Sequence, residues 1–372
     1  MPHLVVSISG HGFGHVAQTA PILNTLHQRI PQLRLTVRSS APLAHLRSRI
    51  QVPFTHLPSE GDIGMVMSSA LDVCIEVSRA TYQSFHANWD ARVNKEAQLL
   101  RELKADFVFS NVGYLPLAGA QRASIPNAAL CSLNWADIYR YYCCPSTKPL
   151  VLSGVEGSGR SVDQMIAAQI LACYADADAF LRATPGMTMI DLPNLIQVAP
   201  IAAIGYDRRD ELDRHLGLSK QEKLVLVSLG GIDSRLPIEK WPRLDGVRWL
   251  VQQSWHVNHP DAIILETLQM SFGDLLASSD ALICKPGYGS FVEAACCGVP
   301  VLYASRADWP ESPALVEWLQ QHAVCREISR QALEQGKISA ELEDIWERQL
   351  PEPVDCQGTE QVAAWLTGKL DG

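Results

Sequence analysis

The sequence predicts an α/β protein of two Rossmann-like domains, each a parallel sheet covered by helices. Three observations carry this. Short apolar runs alternate with helical patterns along most of the chain. Each half opens on a hydrophobic strand followed at once by a glycine turn, first at residues 4–15 and again at 224–231. The length, 372 residues, suits two domains of roughly 150–200 residues each.

The run 4–8 reads as the first buried strand. Gly10, His11, Gly12, Phe13, Gly14 and His15 follow directly, and Val16, Ala20, Leu23 and Leu26 then recur at helical spacing. The run 33–37 is the next strand and 97–104 a helix. Strands follow at 107–109, ending at Ser110 and Asn111, and at 128–131, ending near Asn134 and Trp135. Segments 58–88 and 139–159 are less readable, and the prolines and glycines of the second mark it as loop-rich. Residues 161–174 look helical. Pro185, Gly186, Pro193, Pro200 and Gly205 place a domain boundary within 183–206. Beyond it lie strands at 224–229, 248–251, 263–265, 281–284 and 299–304, and helices at 313–321, 329–335, 340–350 and 361–370. The expected domains are 1–198 and 199–356, with a C-terminal helix within 357–372. All the glycine turns sit at carboxyl ends of strands, where open parallel sheets bind ligands.

Composition excludes several classes. The net charge of −9 argues against nucleic acid and gives no general attraction to an anionic membrane. The opening MPHLVVSISG lacks a basic n-region and no stretch reaches the length of a membrane span, so a cytoplasmic protein is expected. The cysteines are scattered without a C-x-x-C, which suggests reduced, buried thiols. No Cys/His set has zinc-ligand spacing, so neither metal nor cofactor is expected.

The stretch 281–300 is the most informative. Ala281, Leu282 and Ile283 suit a buried strand, which Lys285, Pro286 and Gly287 break. Gly287 and Gly289 allow a tight turn with uncrowded N–H groups. Ser290 stands where a helix N-cap would, and Glu293 three residues on completes a capping box. The helix stops at Gly298 before Pro300. A helix N-terminus behind such a turn suits phosphate. The plainer alternative is a capped helix after a core strand, with Glu293 serving the cap alone. No G-K-[ST] follows, so this is not a P-loop.

In the first glycine turn, His11 and His15 are candidate general bases, histidine being the side chain best suited to that task near neutral pH. Gly12 and Gly14 leave room for a substrate hydroxyl. The positive end of the following helix would keep His15 neutral. Either histidine could instead bond backbone and hold the loop. Asp62 and Asp90 are further candidate bases.

The segments SGHGFGH (9–15), LKADFVFSN (103–111), LNWADIY (133–139), KPGYGSFVEA (285–294) and RADWPESPAL (306–315) together resemble the GT-B glycosyltransferase superfamily. The resemblance is closest to the glycosyltransferase-like N-terminal region of L-arabinokinases and stand-alone bacterial relatives. It extends more distantly to the peptidoglycan N-acetylglucosaminyltransferase. It spans most of the chain, and GYG-S-x-x-E is its most specific piece. It does not reach the kinase half of arabinokinases, so kinase activity is not implied. What it implies is a GT-B fold whose two sheets face a central cleft, with the final helix packing back on the N-terminal domain. It also implies metal-independent transfer of a sugar from a nucleotide-sugar donor, a UDP-sugar first, to a hydroxyl of an unidentified acceptor. The C-terminal domain would bind the donor. Gly287, Tyr288, Gly289 and Ser290 would hold the diphosphate, with Gly230, Gly231 and Ser234 opposite. Glu293 would hold the ribose, and the base would rest near Met270. Asp308 and Glu311 would meet the donor sugar, or else form a helix-cap region with Pro310 near the first turn. On the acceptor side, His15 falls on the histidine of the more distant family, and Asn111, Asn134 and Trp135 are candidates without a set role. A lipid acceptor would bring peripheral membrane contact.

Three other readings compete. A nucleotide-sugar 2-epimerase shares the same two-domain fold. An oxidoreductase would use the G-x-G-x-x-A match at 12–17, with Arg38 suited to NADP, but leaves the 283–300 turn without a role. A non-catalytic sensor would keep the donor pocket alone.

Overall fold

The computed structural model describes residues 1–69, 71–144, 161–231, 235–306 and 308–371. They form two compact units. One comprises Met1–Ser68, Asp72–Ile201 and Gln357–Gly372, and the other Ser69–Leu71 with Ala202–Cys356.

The first unit holds β1 (His3–Ile8), β2 (Arg34–Arg38), β3 (Thr55–Leu57), β4 (Phe107–Asn111), β5 (Asn127–Cys131), β6 (Ala179–Ala183) and β7 (Leu195–Val198). All pair in parallel, in the order β3-β2-β1-β4-β5-β6-β7. β1, β4 and β5 are buried along their whole length, as central parallel strands under helices must be. Helix Gly14–Arg29 leaves β1. The C-terminal helix Gly358–Leu370 packs against it, with Arg29 and Glu360 paired at 2.5 Å and Trp365 edge-on to Phe107.

Two stretches differ from expectation. Residues 58–88 contain a helix, Ile75–His86, whose buried face is Ser78, Tyr82, Phe85 and His86. Its polar and aromatic inner residues hide the apolar period. Helix Trp135–Cys143 occupies the start of the segment expected to be loop-rich, and residues 145–160 lie outside the described residues.

The second unit holds β8 (Lys223–Ser228), β9 (Val247–Val251), β10 (Ala262–Ile264), β11 (Ala281–Cys284), β12 (Val301–Ala304) and β13 (Cys325–Ile328). These too are parallel, ordered β10-β9-β8-β11-β12-β13. Val225, Val227, Trp249, Ile283 and Leu302 lie in its core. Helix Tyr288–Cys297 follows β11 and ends on Gly298, whose φ of +69° is the left-handed cap only glycine adopts without cost.

The capping box expected at Ser290 and Glu293 does not form. The N-cap is Gly287, whose extended backbone (φ −163°, ψ 138°) lets the helix begin at Tyr288, so Ser290 is its third residue and Glu293 lies buried in its middle. The cysteines also depart from expectation. Cys296 and Cys356 form a disulfide across a sequence separation of 60, while the other eight are free thiols. Their sequence neighbourhoods carry no pairing signal.

Closing a loop of that length stabilises by about 4 kcal/mol in the chain-entropy account. Cys356→Ser should therefore lower the stability of the second unit by up to that amount. Reductant should do the same to the native chain and nothing further to the variant, as followed by chemical denaturation.

Candidate functional site

In each sheet the strand order reverses once, between β1 and β4 and between β8 and β11. Connections depart to opposite faces there, which opens a crevice at the carboxyl ends of the two strands. The glycine turns leave from these points.

In the second unit three neighbouring strands end in register: Ser228, Cys284 and Tyr303 are successive partners. The turns after them carry the predicted donor residues. Gly230, at φ +79°, lies beside Lys285, whose Cε would stand 3.6 Å from a Cβ placed on the glycine. Gly231 follows it, and Ser234 lies outside the described residues. Gly287, Tyr288, Gly289 and Ser290 form the N-cap and first turn of a ten-residue helix. The first turn of a helix offers N–H groups without intrahelical partners, and with the helix dipole it favours an anion. Glu293 is 2% exposed, one turn further in.

Glu311 is buried, and its Oε2 accepts a bond from Trp309 Nε1 at 3.2 Å. Asp308 is exposed. Both precede helix Ser312–His322, whose first-turn proline is Pro313 rather than Pro310. Met270 is half-buried and lines a cavity of about 270 Å³ with Leu268, Leu212, Glu211, Arg214 and His215. Ser271 next to it caps helix Phe272–Ala277 through Asp274 N.

Two cations in this group escape the sequence reading. Arg306 is 3% exposed, and its guanidinium lies 3.9 Å over the ring of Trp309. Lys285 directly follows buried β11. Burial lowers its pKa to about 8, with Arg306 pushing the same way and Glu311 opposing. The signal was present: a lysine and an arginine just past the ends of wholly apolar strands. K-P-G read only as a strand breaker concealed it.

In the first unit the glycine loop meets the end of β4. His15, second residue of its helix and 6% exposed, bonds Asn111 through Nδ1 to Oδ1 at 2.9 Å. Asn111 Nδ2 donates to Gln18 Oε1 at 3.0 Å and to the His15 carbonyl at 3.4 Å. Its Oδ1 must then accept, so His15 carries its proton on Nδ1 and its lone pair on Nε2. Burial lowers the His15 pKa to about 4, with Asn111 opposing, so the ring is neutral at pH 7. Sequence reasoning had credited the helix end with this effect.

Trp135 joins this group to Asp62. Its ring stands edge-on to His11 with centroids 5.0 Å apart and tilted to His15 at 5.9 Å. Its Nε1 donates to Asp62 Oδ2 at 3.0 Å, and Ser9 Oγ donates to Oδ1 at 3.0 Å. Burial raises the Asp62 pKa to about 6 against both bonds, with Glu60 adding to the rise. Gly64, at φ +64°, passes so close to His11 that a Cβ there would lie 2.7 Å from Nδ1. Gly12 and Gly14 have open space around them.

The remaining candidates divide. Asn134 caps helix Trp135–Cys143: its Oδ1 accepts from Asp137 N at 2.8 Å and its Nδ2 donates to Asp137 Oδ2 at 2.7 Å. Asp90 sits exposed, paired with Arg122 at 3.1 Å, and no hydrogen bond links it to the glycine loop. No cluster of three or more His, Cys, Asp or Glu side chains could hold a metal among the described residues. No helix among them is long and apolar enough to cross a membrane.

This architecture is the GT-B fold. The calicheamicin glycosyltransferase CalG4 superposes with a TM-score of 0.61 at 12% identity, covering 100% of this chain and 98% of that one. LpCGTa, solved in complex with UDP, gives 0.55 at 14% identity over 100% and 99%. A Listeria monocytogenes protein assigned as a UDP-N-acetylglucosamine 2-epimerase gives 0.55 at 12% over 100% and 97%. In sequence the chain is similar to L-arabinokinase of Arabidopsis thaliana, 25% identical over 346 residues, which are 92% of this chain and 32% of the plant protein. The chain thus spans about a third of that relative's length. No protein-family model matches.

The opposite shifts of His15 and Asp62 have opposite effects on stability. The folded-state pKa of His15 is depressed, so its contribution is full above the unfolded 6.5 and is lost as pH falls towards 4. That of Asp62 is raised, so its contribution is full below the unfolded 3.8 and is lost as pH rises towards 6. Between pH 4 and 6 the two offset one another. Denaturation across that range should show a steeper acid loss in Asp62→Asn than in the native chain. In His15→Gln, stability should instead fall as pH rises.

Proposed function

We propose that the chain is a metal-independent glycosyltransferase that moves a sugar from a nucleotide-sugar donor, a UDP-sugar first, to an acceptor hydroxyl. The observation that carries this is the convergence in the second unit. Two glycine turns, a helix N-terminus, Lys285 and Arg306 gather past the ends of three adjacent strands. Backbone N–H groups and two cations, buried Arg306 and half-buried Lys285, can neutralise a leaving diphosphate without a metal ion. Gly287, Tyr288, Gly289 and Ser290 cradle that diphosphate, with Gly230 and Gly231 beside them. Glu293 accepts bonds from the ribose hydroxyls, Met270 lies towards the base, and Asp308 and Glu311 serve the sugar. His11, His15, Asn111, Trp135 and Asp62 belong to the acceptor side. The UDP held by LpCGTa supports the choice of nucleotide. A cytoplasmic location belongs to the same reading.

A thermal-shift screen of UDP-, GDP-, ADP- and dTDP-sugars tests it, since specific binding stabilises the folded state by mass action. UDP-sugars should raise the melting temperature most. Gly289→Val should abolish UDP binding in a folded protein by blocking backbone approach. Glu293→Gln should cost on the order of 1–3 kcal/mol of nucleotide affinity, the range for a hydrogen bond to a charged group. With no capping box to lose, that change cannot be charged to helix fraying. Full UDP affinity in a folded Gly289→Val protein would remove the donor assignment.

The epimerase neighbour supports a second reading on the same fold. Incubation with donor alone separates the two: a 2-epimerised sugar points to the epimerase, while transfer requires an acceptor.

A further inference from the structure

We propose that Asp62, rather than either histidine of the glycine loop, takes the proton of the acceptor hydroxyl. This rests on the transferase reading and deepens its acceptor side.

The geometry singles out this carboxylate. It sits between Ser9, which opens the glycine loop, and Trp135, whose ring touches both histidines. The chain carries it there on a stretch flanked by Gly61 and Gly64. Gly61 is packed so closely against Ser7 that a Cβ would stand 2.7 Å from that hydroxyl. Each carboxylate oxygen receives one hydrogen bond and keeps lone-pair capacity for another. Of the groups around it, Ser9 and Trp135 donate to it and Glu60 adds like charge. The buried phenols of Tyr82, Tyr114 and Tyr174 lie within electrostatic reach, and His11 and His15 lie across the indole.

His15 is built for another task. An amide and the Cys131 thiol, not a carboxylate, face its Nδ1, so the bond from Asn111 only partly offsets the burial of an imidazolium. With a pKa near 4 it is the weaker proton acceptor of the two, and Asp62 near 6 is the stronger. His15 Nε2 positions the acceptor hydroxyl by accepting a hydrogen bond.

In the transfer step the acceptor oxygen bonds to the anomeric carbon as the bond from that carbon to the phosphate oxygen breaks. The bonding pair leaves with the nucleoside diphosphate. The hydroxyl proton passes to Asp62, which returns it to solvent.

Two measurements test this. In protein labelled with ¹³C at aspartate carboxyls, the resonance missing from Asp62→Asn should titrate near pH 6. UDP release from UDP-glucose and UDP-galactose, with water as acceptor, should show an acid limb at that same pH. Asp62→Asn can still accept from Trp135 and donate to Ser9. It should lose 10²–10⁴-fold in release, the usual range for a positioned acid–base group, while UDP affinity stays within about twofold. His15→Gln should slow release yet keep the limb in place, and Asp62→Glu should recover part of the rate. An Asp62 carboxyl that titrates below about 4.5 overturns the proposal. So does a limb that survives in Asp62→Asn or moves with His15→Gln, or UDP binding with no release from either sugar at any pH. A chain that binds no nucleotide fails earlier, at the transferase reading, and takes the proposal with it.

Discussion

The constraint on which the rest depends is the reversal of strand order in each sheet. β1 lies between β2 and β4, and β8 between β9 and β11, so chain leaving these strands must turn away over opposite faces. A crevice opens at the carboxyl ends of the strands at that point. Helices Gly14–Arg29 and Tyr288–Cys297, neither with a side-chain bond at its N-cap, start from the turns after β1 and β11. Gly230 uses the left-handed region at φ +79° and Gly287 the extended one at −163°. The left-handed stop at Gly298 and the disulfide from Cys296 hold the far end of the second such helix.

Burial at these points acts on every ionisable group in one direction, towards the neutral form. It lowers His15 and Lys285 and raises Asp62. Arg38 and Glu96, both almost wholly enclosed, form an ion pair, and half-buried Arg209 pairs with Asp280. Asp62 is held differently. It receives only neutral donors, a hydroxyl and an indole N–H, which favour the anion without fixing it against protonation. A carboxyl so placed changes charge near neutral pH, a property that a structural ion pair would suppress.

The parts of this architecture that were legible in the sequence are those set by local pattern. Strands 4–8, 107–109, 128–131, 224–229 and 281–284 are apolar runs bounded by glycine, proline or polar residues, and they lie where expected. Helix Ile75–His86 was not legible because its inner face is built from tyrosine, phenylalanine, histidine and serine. The box at Ser290 and Glu293 was misplaced by three residues because the pattern is indifferent to where the helix begins. The extended conformation of Gly287 decides that, and no neighbouring residue announces it. Tertiary partnerships left no trace either. Trp135 and Asp62 are 73 residues apart, and Cys296 and Cys356 are 60 apart.

The fold alone does not choose between sugar transfer and epimerisation, since proteins assigned to both superpose on this chain equally well. The choice turns on what the first unit is equipped to do. An epimerase needs its proton-handling groups at a carbon of the one sugar it holds, and the nucleotide-sugar site proposed for the second unit would serve either reaction. The first unit has its own switch point, its own glycine loop and a carboxyl whose pKa is raised to about 6, with His15 across the Trp135 indole from it. Such a set is redundant if the donor is the sole substrate. It is what a second substrate requires when its hydroxyl must be oriented by one group and relieved of its proton by another.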